Sequence, residues 1–174
     1  MMTLGKRVLI TSYTHAAVDN ILLKLMELHA SEKCSTRSTI NTDLVRVGSK
    51  SAIHPALHRM LAPELAAGEI DRREILRAGS LPQDVTTSKP SISSHHQVMS
   101  SAKIIGVSVL TVPNSPLLIE QKFDVVIVDE AEQISQPAII GALMAADTFV
   151  LVGDHEQLPP LVQSDVAEKA GKRL

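Results

Sequence analysis

The chain has one cysteine, Cys34, no tryptophan, one tyrosine and two phenylalanines among its 174 residues. A single cysteine excludes an internal disulfide and any metal centre built from several thiolates, and it suits a reducing compartment. With aromatics at 2% of residues, the core has to be assembled from aliphatic side chains, and stacking platforms for nucleic-acid bases are scarce. An excess of positive charge is missing too. Lys and Arg number 17 against 19 Asp and Glu, so no global field attracts a polyanion and any such contact has to be local. No apolar run approaches a membrane span, and the N-terminus lacks the apolar stretch of a signal peptide, which predicts a soluble chain. The apolar fraction of 44% is ordinary for a globular protein of one domain, or part of one, with a core of its own.

What is present centres on two stretches. Lys122 to Gln133 reads KFDVVIVDEAEQ, and Thr148 to Pro160 reads TFVLVGDHEQLPP. Each is a continuous apolar run that stops in acidic residues. Val125–Val128 and Phe149–Val152 show no polar alternation, so both predict strands buried on two faces, as inside a parallel sheet. Between them Gln136–Ala146 is rich in helix formers, with Pro137 near the start. A strand–helix–strand unit follows, and open parallel sheets bind ligands at the carboxyl ends of their strands. Asp129, Glu130 and Asp154 fall at that edge.

Upstream, Arg7–Thr11 predicts a strand. Lys6 and Arg7 read as a surface edge or as the solvated end of a preceding helix. The hydroxyl-rich segment Thr11–Asn20, TSYTHAAVDN, turns into a helix that runs to about His29, with Ala17, Ile21, Leu25 and Leu28 on its apolar face. Hydroxyls beside a helix N-terminus suit a phosphate; the alternative is plain N-capping by Thr14. Leu44–Val47 predicts a short strand, Ala56–Ala67 and Asp71–Ala78 predict helices, and Lys103–Leu110 a further strand. Val112–Pro116 is a turn, and a short helix is expected near Asp165–Ala170. Gly79–Ser101, dominated by Ser, Thr, Pro, Gln and His, predicts a long mobile loop. His95 and His96 inside it have no Cys or carboxylate at ligand spacing and are assigned no role.

A buried strand that ends in Asp-Glu puts two carboxylates side by side. One suits Mg²⁺, held through water, because Mg²⁺ prefers hard oxygen ligands and keeps most of its hydration. The other can orient and deprotonate a water that attacks a phosphoryl group. Asp129 is assigned to the metal and Glu130 to the water. The alternative is that the pair merely favours the start of the next helix. The complete string hydrophobic-DEAxQ, followed by GDxxQLPP, is far more specific than a bare Asp-Glu.

VDEAEQ, GDHEQLPP and TSYTHAAVDN resemble motifs of superfamily 1 helicases. LLKL after the first motif, RVGSKSAIHPAL at Arg46–Leu57, ISQP at Ile134–Pro137 and PPLV at Pro159–Val162 narrow the likeness to the eukaryotic DNA replication ATP-dependent helicase/nuclease family. It covers most of the chain apart from Gly79–Ser101. The resemblance implies an α/β fold: a partial RecA-like (P-loop NTPase) parallel sheet with flanking helices, residues 1–174 forming part of the first helicase domain. It implies ATP and Mg²⁺ as ligands, Asp129 as metal ligand and Glu130 as catalytic acid. Gln157 would sense the γ-phosphate, with Asp154 beside it. Thr11, Ser12, Thr14 and Asn20 fall in the segment that contacts single-stranded DNA, where contacts position a strand without reading its sequence. Nuclear residence and a role in replication and repair follow from the same resemblance.

The departures from the family are equally specific. No G-x-x-x-x-G-K-[ST] phosphate loop occurs in the chain; the family's should lie just upstream of Met1, so the sheet is expected to lack the strand that feeds it. The second RecA-like domain, the nuclease domain and its cysteine-ligated iron–sulfur cluster are absent as well. Ser108–Thr111 stands where the family has Thr-Cys followed by Leu-Gly. The chain therefore reads as a fragment, from a truncated, spliced or decayed copy, that is inactive alone, of marginal stability and prone to aggregate at unpaired strand edges. The competing readings are a non-catalytic protein and a fragment of an RNA-directed helicase of the nonsense-decay type.

Overall fold

Five short aliphatic runs lie side by side, all parallel: β1 (Val8–Ser12), β2 (Leu44–Arg46), β3 (Ile104–Ser108), β4 (Phe123–Asp129) and β5 (Ala146–Leu151). Their spatial order is β2-β3-β1-β4-β5. Parallel neighbours need crossovers, and among the described residues three helices of eight or more residues are seen between them: α1 (His15–Ser31), α2 (Ile92–Ser101) and α3 (Gln136–Leu143). The structure, a computed structural model, describes residues 5–31, 43–67, 92–119, 121–160 and 164. It is the α/β parallel sheet with flanking helices that the sequence implies.

Side chains alternate across each strand, so the sheet supports two cores. On one face Leu9, Ile105, Val107, Val126 and Val128 pack with Val98 and Met99 of α2 and Ile139 and Ala142 of α3. On the other, Val8, Ile10 and Ile104 meet Val18 and Leu22 of α1, with Leu57, Met60 and Leu61. Gly106 in β3 makes room for α1, since a Cβ there would stand 2.5 Å from Leu22 Cδ1. The stripe that α1 buries is therefore Val18 and Leu22, flanked by Ile21, Leu25 and Met26, while Leu28 stays exposed.

Several boundaries differ from expectation. The segment expected to be one helix over Ala56–Ala67 starts as a 3₁₀ helix, Pro55–Met60, and continues as a helix over 62–67. The end of the expected Gly79–Ser101 loop is α2 instead. Its anchors are few but well placed: Val98, Met99 and Ala102 are buried, close enough in spacing to share one side of a helix. Asp71–Ala78, the loop up to residue 91 and the helix near Asp165–Ala170 lie outside the described residues. No helix among the described residues is long and apolar enough to cross a membrane.

Arg7 is neither a bare edge nor a solvated end. Its Nη2 donates to Met99 O at 2.9 Å and Gln121 Oε1 at 2.8 Å, its Nη1 to Lys122 O at 2.8 Å and its Nε to Ala102 O at 3.2 Å. The guanidinium also lies 5.0 Å from the centre of the Phe123 ring. One side chain thus ties the end of α2 to the start of β4 below the sheet.

β5 departs most from expectation. β4 is buried as expected, but β5 has no neighbour on its outer side among the described residues. Phe149, Val150, Leu151 and Val152 are 52%, 42%, 44% and 47% exposed. The apolar run is that of an inner strand, and the position is that of an edge. An exposed, apolar, unpaired edge is a template for association. Replacing Val150 by Lys is expected to shift the purified chain toward monomer in sedimentation velocity while changing its stability by less than about 1 kcal/mol. An unchanged distribution would show that β5 is not the associating edge.

Candidate functional site

The register of β1 on β4 sets Ser12 opposite Asp129, so both strands end at the same level. The chain then turns sharply. Glu130 has φ 52° and ψ 40° and is the one non-glycine residue with positive φ among those described. A left-handed conformation in a residue with a Cβ costs about 1–2 kcal/mol and persists where the surroundings impose it. Here Ala131 N–H donates to Val152 O at 3.0 Å and Gln133 N–H to Glu130 O at 3.0 Å, and Ala131 and Ile134 are buried. The Glu130 side chain makes no capping hydrogen bond to the 3₁₀ turn Ala131–Gln133 that follows. Instead Glu130 Oε2 accepts the Ser12 hydroxyl at 3.0 Å. The capping alternative therefore does not describe Glu130. Asp129 is half-buried, and its carboxylate has no hydrogen bond or ion pair among the described residues.

The second acidic tip is joined to the first through the backbone. Val152 N–H donates to Val128 O at 2.8 Å, which carries the pairing past the end of β5. Asp154 then organises a turn. Its Oδ1 accepts the Glu156 N–H at 3.0 Å, its Oδ2 the Gln157 Nε2 at 3.4 Å, and its carbonyl the Gln157 N–H at 3.0 Å. Asp154 and Gln157 are both exposed, so the turn projects from the rim.

The residues singled out at the start of α1 separate into two layers. Thr11 and Ser12 are buried; Thr14 and Asn20 are exposed. The Thr11 hydroxyl is buried without a hydrogen-bond partner, and that of Ser12 is spent on Glu130. Thr14 Oγ1 accepts the Ala17 N–H at 3.1 Å, which is the N-cap alternative realised and is worth about 1 kcal/mol. Asn20 lines an open pocket of about 300 Å³ with Ala16, Asp19, Ser51, Ile53 and His54.

Under that pocket lies a buried charge that sequence reasoning missed. Arg46 is wholly buried, and its Nε donates to Asp19 Oδ1 at 2.7 Å. Its Nη1 reaches Val47 O at 2.9 Å, and its Nη2 reaches His15 Nδ1 at 3.1 Å. Asp19 Oδ2 also accepts the His54 N–H at 2.7 Å. Removing either partner of a buried pair costs about 3–5 kcal/mol because it strands the other charge. The signal was an arginine inside the apolar run Leu44–Val47, since a buried arginine demands a carboxylate. Glu132 and Gly153, which touch across the two tips, gave no comparable signal.

Chemically, the rim offers an unpartnered carboxylate, a second carboxylate held by a hydroxyl, and a projecting amide. No group of three or more metal-ligating side chains occurs among the described residues. The two carboxylates of the rim are a donor set of the kind that Mg²⁺ takes, one or two carboxylates with several waters.

The AAA domain family matches residues 74–165. The DNA replication ATP-dependent helicase/nuclease DNA2 of Xenopus laevis is 38% identical over 167 residues, which cover 96% of this chain and 13% of that protein. The proteins of the same name from Homo sapiens and Saccharomyces cerevisiae are each 36% identical, over 167 and 168 residues; these cover 96% of this chain and 13% and 9% of those proteins. The chain thus spans only a small part of the length of the relatives it matches.

The contact between Arg46 and His15 makes this end of α1 sensitive to pH. Arg46 can only donate, so Nδ1 of His15 accepts and the ring is neutral, with its proton on Nε2. Burial, and then the Arg46 charge, lower the His15 pKa from its ordinary 6.5, with Asp19 opposing them. The sign follows: on acidification the unfolded chain takes up this proton first, so the stabilisation is full above about pH 6.5 and declines below it, down to the lowered folded value. His15→Asn keeps an acceptor and removes the titration. The chain is expected to lose urea stability between pH 7.5 and 5.5 more steeply than His15→Asn does; equal slopes would contradict the neutral assignment.

Proposed function

This chain belongs to the AAA domain family, and from that premise we propose that it is a piece of the helicase portion of a DNA2-like helicase/nuclease. In this reading it carries an ATP·Mg²⁺-handling rim and a turn that faces single-stranded DNA. The observation that supports it most is the convergence at one sheet edge. Asp129 is unpartnered at the end of β4, Glu130 is held by Ser12 from the end of β1, and the Asp154–Gln157 turn projects beside them. The relatives named as ATP-dependent DNA helicase/nucleases point the same way.

Each residue then has a distinct task. Asp129 holds the waters of Mg²⁺. Glu130 orients the attacking water and takes its proton. Gln157, steadied by Asp154, meets the γ-phosphate. Mg²⁺, when bound, neutralises charge that develops on the phosphate oxygens. Thr14 and Asn20 offer side chains to the phosphodiester backbone. Thr11 can contribute only its main chain there, and Ser12 links that segment to Glu130. The remainder of the helicase is the natural partner, and a replication role places the protein in the nucleus.

Two features make the chain inactive by itself. It contains no G-x-x-x-x-G-K-[ST], so no backbone cradle or lysine clamps the β- and γ-phosphates. Its β5 edge is apolar and has no outer neighbour among the described residues, as where a further strand would pair. The expected result is ATP turnover at background level for the chain alone. Turnover stimulated by single-stranded DNA is expected once a segment with that loop is joined to it. In the joined protein Glu130→Gln should lower turnover by about 100-fold or more. Turnover that survives Glu130→Gln would refute the assignment of Glu130, and turnover by the chain alone would refute its incompleteness.

A further inference from the structure

Glu132 is a third carboxylate at the rim, and its geometry differs from that of its neighbours. It lies half-buried in the 3₁₀ turn after β4. Its Oε2 accepts the backbone N–H of Asp154 at 3.2 Å, and its Oε1 accepts Gln133 Nε2 at 3.3 Å. The carboxylate lies where a side chain on Gly153 would be: a Cβ there would overlap Glu132 Oε2 and come within 3.2 Å of the Glu132 amide nitrogen. A side chain at 153 would therefore displace the Glu132 carboxylate. Backbone pairing between the two tips ends at Val152, through Val152 N–H to Val128 O and Ala131 N–H to Val152 O. Beyond it, the Asp154–Glu132 contact is the only hydrogen bond from the turn to the β4 side among the described residues. Gln157 in turn hangs on Asp154, by its amide nitrogen to Asp154 O and by its side chain to Oδ2.

We propose that Glu132 is a positioning residue that latches the Gly153–Gln157 turn to the end of β4, and thereby sets where the Gln157 amide stands relative to Glu130. The proposal rests on the nucleotide reading above and adds to it a residue outside the metal, water and phosphate roles. Glu132 acts through Asp154 and touches no ligand. Without the latch β5 stays paired and the turn swings free, so recognition of the terminal phosphate suffers while the rest of the rim is intact.

Three variants separate this from a general loss of fold. Glu132→Ala removes the acceptor. Gly153→Ala displaces the carboxylate without touching it. Glu132→Gln keeps an oxygen acceptor and drops the charge. Backbone amide exchange by NMR is compared at Asp154, Gln157 and Val152, and ATP and ADP analogues are titrated with Mg²⁺ in the same samples. Exchange at Asp154 and Gln157 is expected to rise about fivefold in Glu132→Ala and Gly153→Ala, with Val152 unchanged, and to stay within about twofold in Glu132→Gln. The same two variants should weaken the triphosphate by about fivefold and leave the diphosphate unaffected. Unchanged exchange in both would overturn the latch. Faster exchange with an unchanged ATP-to-ADP preference would reduce Glu132 to a structural contact and overturn the positioning role. If the parent chain binds neither nucleotide, the nucleotide reading fails and takes the link to Gln157 with it, whatever the exchange rates show.

Discussion

The pairing of β1 with β4 is the constraint on which the site depends. With Ser12 opposite Asp129, the hydroxyl-rich turn before α1 and the acidic turn after β4 emerge at one level. A slip of one residue would turn every side chain of β1 to the other face. It would carry Val8 and Ile10 away from α1 and Ser12 away from Glu130. The two aliphatic cores forbid that slip, so the burial that stabilises the sheet also aligns the site. The left-handed Glu130 is a local consequence: the chain must turn at once to keep Ala131 on Val152.

Two arginines secure opposite ends of this arrangement. Arg7, beneath the sheet, joins α2 to the start of β4 through main-chain oxygens. Burial lowers its pKa, and Asp124 works against that. Arg46, near the upper end of β2, draws Asp19 and His15 of α1 together, so the helix that follows the proposed strand-facing turn is fixed from below. Both guanidiniums satisfy several acceptors at once, which the buried charge of Arg46 requires. β5 has no such support on its outer side among the described residues, and its apolar side chains are exposed.

The strands were legible because short β-branched runs without polar alternation favour a strand buried on both faces, and the acidic tips because charge follows them directly. Burial of β5 was not legible: Phe149–Val152 reads as an inner strand, and only the set of available neighbours decides whether it is one. α2 was obscured by composition, since Ser, His and Gln outnumber its anchors Val98 and Met99. In the proposed site, Asp129, Glu130 and Asp154 stood out as charge at the ends of apolar runs, and Gln157 through the resemblance to helicase motifs. Glu132 was hidden because the role proposed for it rests on a hydrogen bond from the Asp154 amide, twenty-two positions away, that no local pattern encodes. Ser12 was identified as a strand contact, and its hydroxyl is found on Glu130.

The carboxyl edge of β4 and β5 is the proposed nucleotide·Mg²⁺ site. Titration of the purified chain with a fluorescent ATP analogue, with and without Mg²⁺, tests it most directly, with Asp129→Ala as the comparison. Weak, saturable, Mg²⁺-dependent binding that Asp129→Ala abolishes is the expected result. No binding by a chain whose circular dichroism shows it folded, or binding that Asp129→Ala leaves intact, would contradict it.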